Sequence, residues 1–247
     1  MSKMFGYKCN TCGQGTIRDQ IEQDLKFIHH GHKHTIPVAI TGKCDLCGSV
    51  NYAGEEMARW VSYIEKDIYI PPGVKEVLQL LVDSGMDPVL VGGCVRDALI
   101  GYPTKDYDIE VFSLPMAQPA SARRVHEVMD NNNIECSEVG RNFGVFKVKH
   151  SGFELDISLP RKDSKTGQGH KGFDVDIDPA MDYEEAAQRR DFTINSVMYN
   201  WIKKEFIYPG SSKQDIKIRR LKPVDKKLFK DDPLRVLRGF QFAGRFN

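Results

Sequence analysis

Pro88-Val-Leu-Val-Gly-Gly-Cys-Val-Arg-Asp-Ala-Leu-Ile-Gly-Tyr102, followed after Pro103 and Thr104 by Lys105-Asp-Tyr-Asp-Ile-Glu-Val-Phe112, is the stretch on which the fold turns. Its first half reads as a short buried strand, a tight turn at Gly92 and Gly93, and a helix closed by Gly101. Without side chains at the turn, backbone N–H groups can approach a phosphate at the positive end of the helix, with Arg96 one turn in. A Gly-Gly pair alone satisfies equally the steric demand of many strand-to-helix turns. The second half has the period of a strand, which puts Asp106, Asp108 and Glu110 on one face and Tyr107, Ile109 and Val111 on the other. Carboxylates two residues apart converge and repel; a divalent cation with oxygen ligands, Mg²⁺, resolves the repulsion. Taken singly, Asp-x-Asp reads as the polar face of an edge strand. A second alternating strand, Phe153-Glu-Leu-Asp-Ile-Ser-Leu159, offers Asp156 as a third carboxylate, the complement needed for two-metal phosphoryl transfer.

Upstream, Pro71-Pro72-Gly73 breaks the chain, and Val74 to Val82 has helical apolar spacing, so a new domain starts at 71. Residues 1–70 form a separate segment. It carries two Cys-x-x-Cys pairs, Cys9 with Cys12 and Cys44 with Cys47, whose spacing predicts a closed four-cysteine structural Zn²⁺ site. A segment this small has little core, so the metal would supply folding free energy directly. Between the pairs, His29, His30, His32 and His34 surround Gly31. They suggest a second metal site, but the stronger expectation is a hairpin turn at Gly31 with histidines as its polar flanks. Glu55 to Ile64 is expected to be an amphipathic helix covering the knuckles through Met57, Trp60, Val61 and Ile64. This order of knuckle, hairpin, knuckle and helix resembles the YgiT-type zinc domain of MqsA antitoxins over about residues 5–67. The resemblance implies a protein partner for the segment.

Downstream lie Arg189-Arg-Asp-Phe-Thr-Ile-Asn-Ser196 and Asp231-Asp-Pro-Leu-Arg-Val-Leu-Arg238. Pro233 after Asp232 signals a helix start. Asp232 and Arg235, three apart, share a helical face, where an ion pair can hold both toward a base edge. A carboxylate acceptor with guanidinium donors suits the exocyclic amine and ring acceptors of cytosine and adenine, and predicts use of CTP and ATP.

The ordered set Gly92-Gly-Cys-Val-Arg-Asp, Lys105-Asp-Tyr-Asp, Arg189-Arg-Asp and Asp231-Asp-Pro-Leu-Arg resembles class II tRNA nucleotidyltransferases (CCA-adding enzymes) and bacterial poly(A) polymerases, over about residues 74–246. Val139-Gly-Arg-Asn-Phe-Gly-Val-Phe146 and Pro160-Arg-Lys-Asp-Ser-Lys-Thr-Gly-Gln-Gly-His170 resemble the family too. The resemblance implies an α+β fold: a polymerase-β-like nucleotidyltransferase head with a mixed sheet and helices (71–230), preceded by the zinc-ribbon-like domain, and followed by a nucleotide-recognition helix and the start of a neck (231–247). It implies Asp106, Asp108 and Asp156 as catalytic carboxylates, with Mg²⁺ on Asp106 and Asp108. Gly92, Gly93 and Arg96 would meet phosphate. Arg190, Asp191, Asp232, Arg235 and Arg238 would bind nucleotide, Asp191 facing the ribose. The implied reaction transfers CMP or AMP to an RNA 3′ end, with tRNA CCA addition expected first and poly(A)-type tailing second. A zinc-domain binding protein with an inactive, nucleotide-holding head is the alternative from another class.

The sequence departs from the family at Tyr208, where an acidic residue is usual, and at Gln241, where Arg is common. It also stops at Asn247, where relatives continue into RNA-gripping regions. Its 35 Lys and Arg balance 34 Asp and Glu, and basic residues cluster from Lys203 to Arg245, a phosphate-facing surface or simply a solvated one. No apolar run nears the roughly 20 residues that cross a bilayer, and the start lacks a secretory signal, so the expected location is cytoplasmic. Cys94 and Cys136 read as core fillers, and His126 and His150 have no assigned role.

Overall fold

The computed structural model describes residues 4–104, 106–139, 144–165 and 173–246. Lys105, residues 140–143 of the stretch that begins at Val139, and residues 166–170 of the stretch that begins at Pro160 lie outside the described residues. The chain forms two compact units, one of residues 1–71 with 97–104, the other of residues 72–96 with 105–247.

In the first unit, β1 (Ile17–His29) and β2 (His32–Cys44) make a long antiparallel hairpin, and β3 (Val50–Asn51) adds to β2. The expected turn is there: His30 and Gly31 both have positive φ, 47° and 78°, the left-handed pair whose twist matches that of the flanking strands. Helix α1 (Gly54–Ile64) lays Trp60 against Ile36 and Ala39, all three fully buried. Glu56 is 3% exposed yet satisfied. Its carboxylate accepts from Ile40 N–H, Trp60 Nε1 and the Arg59 guanidinium at 2.8–3.0 Å. Phe5, Cys9, Ile17 and Cys44 close a second core under the knuckles, where a Cβ on Gly42 would sit 2.5 Å from the Phe5 ring.

The second unit opens with α2 (Pro72–Asp83) and β4 (Met86–Val91), buried along its whole length, then α3 (Gly93–Leu99), whose residues 97–99 are counted with the first unit, and β5 (Tyr107–Ser113). Helix α4 (Ala122–Asn131) leads to β6 (Glu135–Val139), β7 (Val145–His150) and β8 (Phe153–Ser158). A ribbon of β9 (Arg161–Lys165) and β10 (Phe173–Ile177), α5 (Tyr183–Ala187), β11 (Met198–Asn200) and β12 (Glu205–Ile207) follow. Helices α6 (Ser212–Lys217), α7 (Lys226–Asp231) and α8 (Leu234–Phe246) complete the chain.

The main sheet has seven strands in the order β12-β11-β4-β5-β8-β7-β6, with β5 and β8 parallel and the other pairs antiparallel. This is the mixed sheet with helices that the motif set implies. One detail differs from the alternation expected for β5. The face carrying Asp108 and Glu110 is not solvated along its length, because further along it Phe112 packs with Val89, Val91, Met181, Ala186, Ala187 and Met198. Glu110 stands between pocket and core and is fully buried. Its charge therefore needs partners within the protein.

Candidate active site

The parallel pairing of β5 with β8 sets the site. Asp108 is the register partner of Asp156, and on its other side lies Val91, the last residue of β4. Directly paired residues point to the same face, so two carboxylates from strands far apart in sequence stand side by side. Asp106 lies just ahead of β5 and is exposed. The three carboxylates do not form a set within 4.8 Å of one another. The strand register brings Asp108 beside Asp156, and the charge of Asp106, just ahead of β5, also acts on Asp108. Burial pushes the Asp108 carboxyl up, and the nearby charges of Asp156 and Asp106 add to it against the opposing pull of Arg190 and Arg189. Lys147 from β7 donates to Asp156 at 3.1 Å.

Asp108 and Asp156 line a pocket of about 150 Å³ together with Val91, Val145, Ser158, Arg161, Arg189 and Arg190. Two anions and three cations thus meet around one void. Both arginines are anchored from behind: Arg189 Nη2 and Arg190 Nη2 donate to the two oxygens of Glu110 at 2.6 and 3.0 Å. Burial raises the Glu110 carboxyl, but the two guanidiniums outweigh burial and hold it below its ordinary value. Arg190 Nε is buried and has no hydrogen-bond partner among the described residues. Gly92 has φ +74°, and a side chain there would be strained and would face the Asp108 carboxylate at 3.5 Å.

The donor set suits the expected metal. Mg²⁺ keeps several waters and takes one or two carboxylates plus phosphate oxygens, and Asp108 with Asp156 or Asp106 meets that need without a closed cage.

The remaining expected nucleotide contacts gather beside the pocket. Asp191 Oδ1 accepts from the Phe192 N–H at 2.8 Å and Asn195 Nδ2 at 2.9 Å, and Asp191 Oδ2 accepts from Arg238 Nε at 2.7 Å. Burial raises this carboxyl, and Asn195 and Arg238 more than compensate, leaving it lowered. Arg96 is 4% exposed; it donates to Asn195 Oδ1 and lies 5.1 Å from the ring centroids of both Phe242 and Phe246. A Cβ added at Gly93 would meet Arg96 Nη2 at 3.6 Å. The structure thus places Arg96 behind the turn, as a pillar between α3 and α8. Asp232 caps α8 by accepting from the Leu234 N–H at 3.0 Å. Its expected pairing with Arg235 is loose, 4.0 Å, because the Arg235 guanidinium donates instead to the carbonyls of Arg190 (3.2 Å) and Arg189 (2.8 Å).

Sequence reasoning did not assign Glu110, Asn195, Phe242 or Lys147 to the site. Glu110 continues the period of Asp106 and Asp108, and Asn195 stands four residues after Asp191; the spacing was a signal in both cases. Nothing local marks Lys147 or Phe242, whose roles depend on strand pairing and helix docking.

In the first unit the four cysteine sulfurs lie within 4.8 Å of one another, with Cys9–Cys47 at 3.7 Å and Cys12–Cys44 at 3.8 Å. A tetrahedral ion about 2.3 Å from each sulfur requires separations of about 3.8 Å. Backbone N–H groups of Leu46 and Cys47 point at Cys44 Sγ, and that of Gly15 at Cys12 Sγ, all at 3.4 Å. The Ser49 hydroxyl, 3.1 Å from Cys9 Sγ, is the main reason that thiol is lowered to about 5. The cluster fits a metal of the zinc class.

A mixed sheet with paired carboxylates on neighbouring strands, a Gly-Gly turn and an arginine pair over one pocket defines the nucleotidyltransferase head. Residues 89–222 match the family model described as the Poly A polymerase head domain, and the chain belongs to that family. It is 38% identical over 160 residues to the "Multifunctional CCA protein" of Xylella fastidiosa (strain 9a5c), covering 65% of this chain and 35% of that protein. The protein of the same name from Stenotrophomonas maltophilia is 39% identical over 157 residues, 64% of this chain and 35% of the relative. Among solved structures, the Bacillus stearothermophilus CCA-adding enzyme in complex with CTP is similar with a TM-score of 0.56 and 26% identity, over 70% of this chain and 40% of that one. A tRNA nucleotidyltransferase complexed with a primer tRNA and an incoming ATP analog gives 0.53 and 25%, over 69% and 45%. The chain spans about a third of the length of the curated relatives it matches.

Proposed function

We propose that this chain catalyses Mg²⁺-dependent, template-independent transfer of CMP or AMP from CTP or ATP to an RNA 3′ end, with tRNA CCA addition or repair as its use, in the cytoplasm. The observation that carries the proposal is the register of Asp108 with Asp156, facing an arginine pair locked by Glu110. Mg²⁺ bound by Asp106, Asp108 and Asp156 would lower the cost of ionising the attacking hydroxyl and of releasing pyrophosphate. The protein's own part is positioning and charge. Arg189, Arg190 and Arg161 draw the triphosphate into the pocket, and Gly92 and Gly93 leave room for it beside Asp108. Asp191, Asn195 and Arg238 form a polar shelf for ribose and base, to which Asp232 and Arg235 at the start of α8 contribute the selectivity for cytosine and adenine. The four cysteines hold structural Zn²⁺, and the zinc unit serves as a docking module for a protein partner.

The test is incorporation of labelled CTP and ATP into tRNA lacking its CCA end, with Mg²⁺. Transfer is expected, with loss of at least 10²-fold in the Asp106→Ala/Asp108→Ala double variant, in the range typical for removing charge stabilisation at a reacting centre. No incorporation, or incorporation unaffected by the double substitution, would refute the proposal. The family description keeps a second product in view: long tails from ATP alone, in place of a completed CCA end, would establish RNA tailing.

A further inference from the structure

Among the described residues, two groups of Cys, His, Asp or Glu bring three or more ligand atoms within 4.8 Å of one another. One is the four-cysteine cluster. The other is His29, His30 and Glu65, at the tip of the β1–β2 hairpin and the end of α1. We propose that these three side chains hold a second divalent cation of the borderline transition series, Zn²⁺, Co²⁺ or Ni²⁺, through two imidazole nitrogens and a carboxylate, leaving a coordination position to solvent.

Geometry supports it first. His29 Nε2 lies 3.3 Å from Glu65 Oε1. Ligands about 2.0–2.1 Å from a tetrahedral ion stand about 3.3 Å apart, so the spacing of this pair already matches that of two ligands on one metal. The His29 and His30 rings, with centroids 4.1 Å apart, enter from adjacent positions because the turn gives His30 its left-handed φ of 47° and swings it back beside His29.

Preorganisation is the second support. The His29 ring stacks on Phe27 at 6.5 Å and 15°, and Phe27 in turn meets Trp60 of α1 edge-on at 5.3 Å. Trp60 is fully buried, so the unit's core holds the ring that carries the first ligand. Glu65 is the C-cap of α1, its N–H donating to the Val61 carbonyl at 2.9 Å, and α1 has no basic residue in its last turn. The negative end of the helix dipole therefore faces the carboxylate, which favours a cation there. Imidazole with carboxylate is a donor set for these ions, and the open position distinguishes it from the closed sulfur cage of the cysteines.

The experiment titrates the full chain, its cysteine site filled with Zn²⁺, with Co²⁺ under excess Mg²⁺ that occupies the carboxylates near Asp108. The expected result is one further Co²⁺ with ligand-field bands of tetrahedral intensity, no sulfur-to-metal charge transfer, and paramagnetic broadening of the His29 and His30 imidazole signals. His29→Ala, His30→Ala and Glu65→Gln should each weaken this binding at least about 10-fold while the cysteine-bound zinc is retained, and His126→Ala should leave it unchanged. Absence of the additional cobalt, a cobalt spectrum dominated by sulfur charge transfer, or equal binding in the His29→Ala/Glu65→Gln double variant would overturn the proposal.

Discussion

Glu110 shows how a single buried charge can organise a surface. Its carboxylate is inaccessible to solvent, while the side chains of its partners Arg189 and Arg190 keep 15% and 17% exposure. Glu110→Ala would leave two guanidiniums partly buried without their counterion, and removing one partner of such a pair costs about 3–5 kcal/mol. Because the folded Glu110 value lies below its ordinary 4.5, the stability it contributes is complete above that pH and lost as pH falls through the lowered value. Denaturant melts as a function of pH should therefore show Glu110→Ala to be less stable at neutral pH and less sensitive to acid. Asp108 has the opposite sign. Its carboxyl is raised, so without metal its ionised form opposes folding at neutral pH, and the opposition is relieved as pH falls through the raised value. Asp108→Asn should thus abolish transfer yet stabilise the metal-free protein by about 0.5–2 kcal/mol, and Mg²⁺ should raise the melting temperature of the wild type but not of the variant. An equal or lower stability for Asp108→Asn would show that desolvation is not what dominates at this carboxylate.

Among the elements, α8 gathers several contacts of the candidate site into one helix. Arg235 ties it to the main chain of Arg189 and Arg190, Arg238 pairs with Asp191, and Phe242 meets Phe192 edge-on at 5.8 Å. Phe242→Ala should cost about 3–5 kcal/mol by opening a cavity under this helix, and hydrogen exchange should show amides of α8 losing protection before those of β4 and β5. The same elements show what was legible in the sequence. The strand–turn–helix at 88–101 and the period-two strand at 106–112 could be read because glycine placement and alternation are local. The Asp108–Asp156 register was not, since it follows from a parallel pairing across 48 positions that no local pattern encodes. The Asp232–Arg235 pair was legible as spacing, yet the carbonyls of the preceding motif compete for the guanidinium, and only the docked helix reveals them.

At the scale of the whole molecule, the chain carries two kinds of stability. The head buries a broad sheet core, whereas the first unit relies on two small apolar clusters and the cysteine cage. Strong chelation should therefore collapse the first unit, seen as loss of amide protection along β1 and β2, and zinc should restore it. Retention of that protection in metal-free protein would show that Phe5, Ile17 and Trp60 suffice. Both Cys-x-x-Cys pairs and the Pro71-Pro72-Gly73 stretch could be read from local residue order alone. The assignment of residues 97–104 to the first unit could not, because nothing in Gly101 or its neighbours announces which core they join. The link from Arg235 to the carbonyls of Arg189 and Arg190 has a further consequence. It works as a strut: the helix proposed to face the base and the backbone that carries the two arginines proposed to grip the triphosphate form one mechanical part. Under the proposed function, base discrimination and triphosphate affinity are then not separately adjustable, and a substitution at Arg235 is expected to change both.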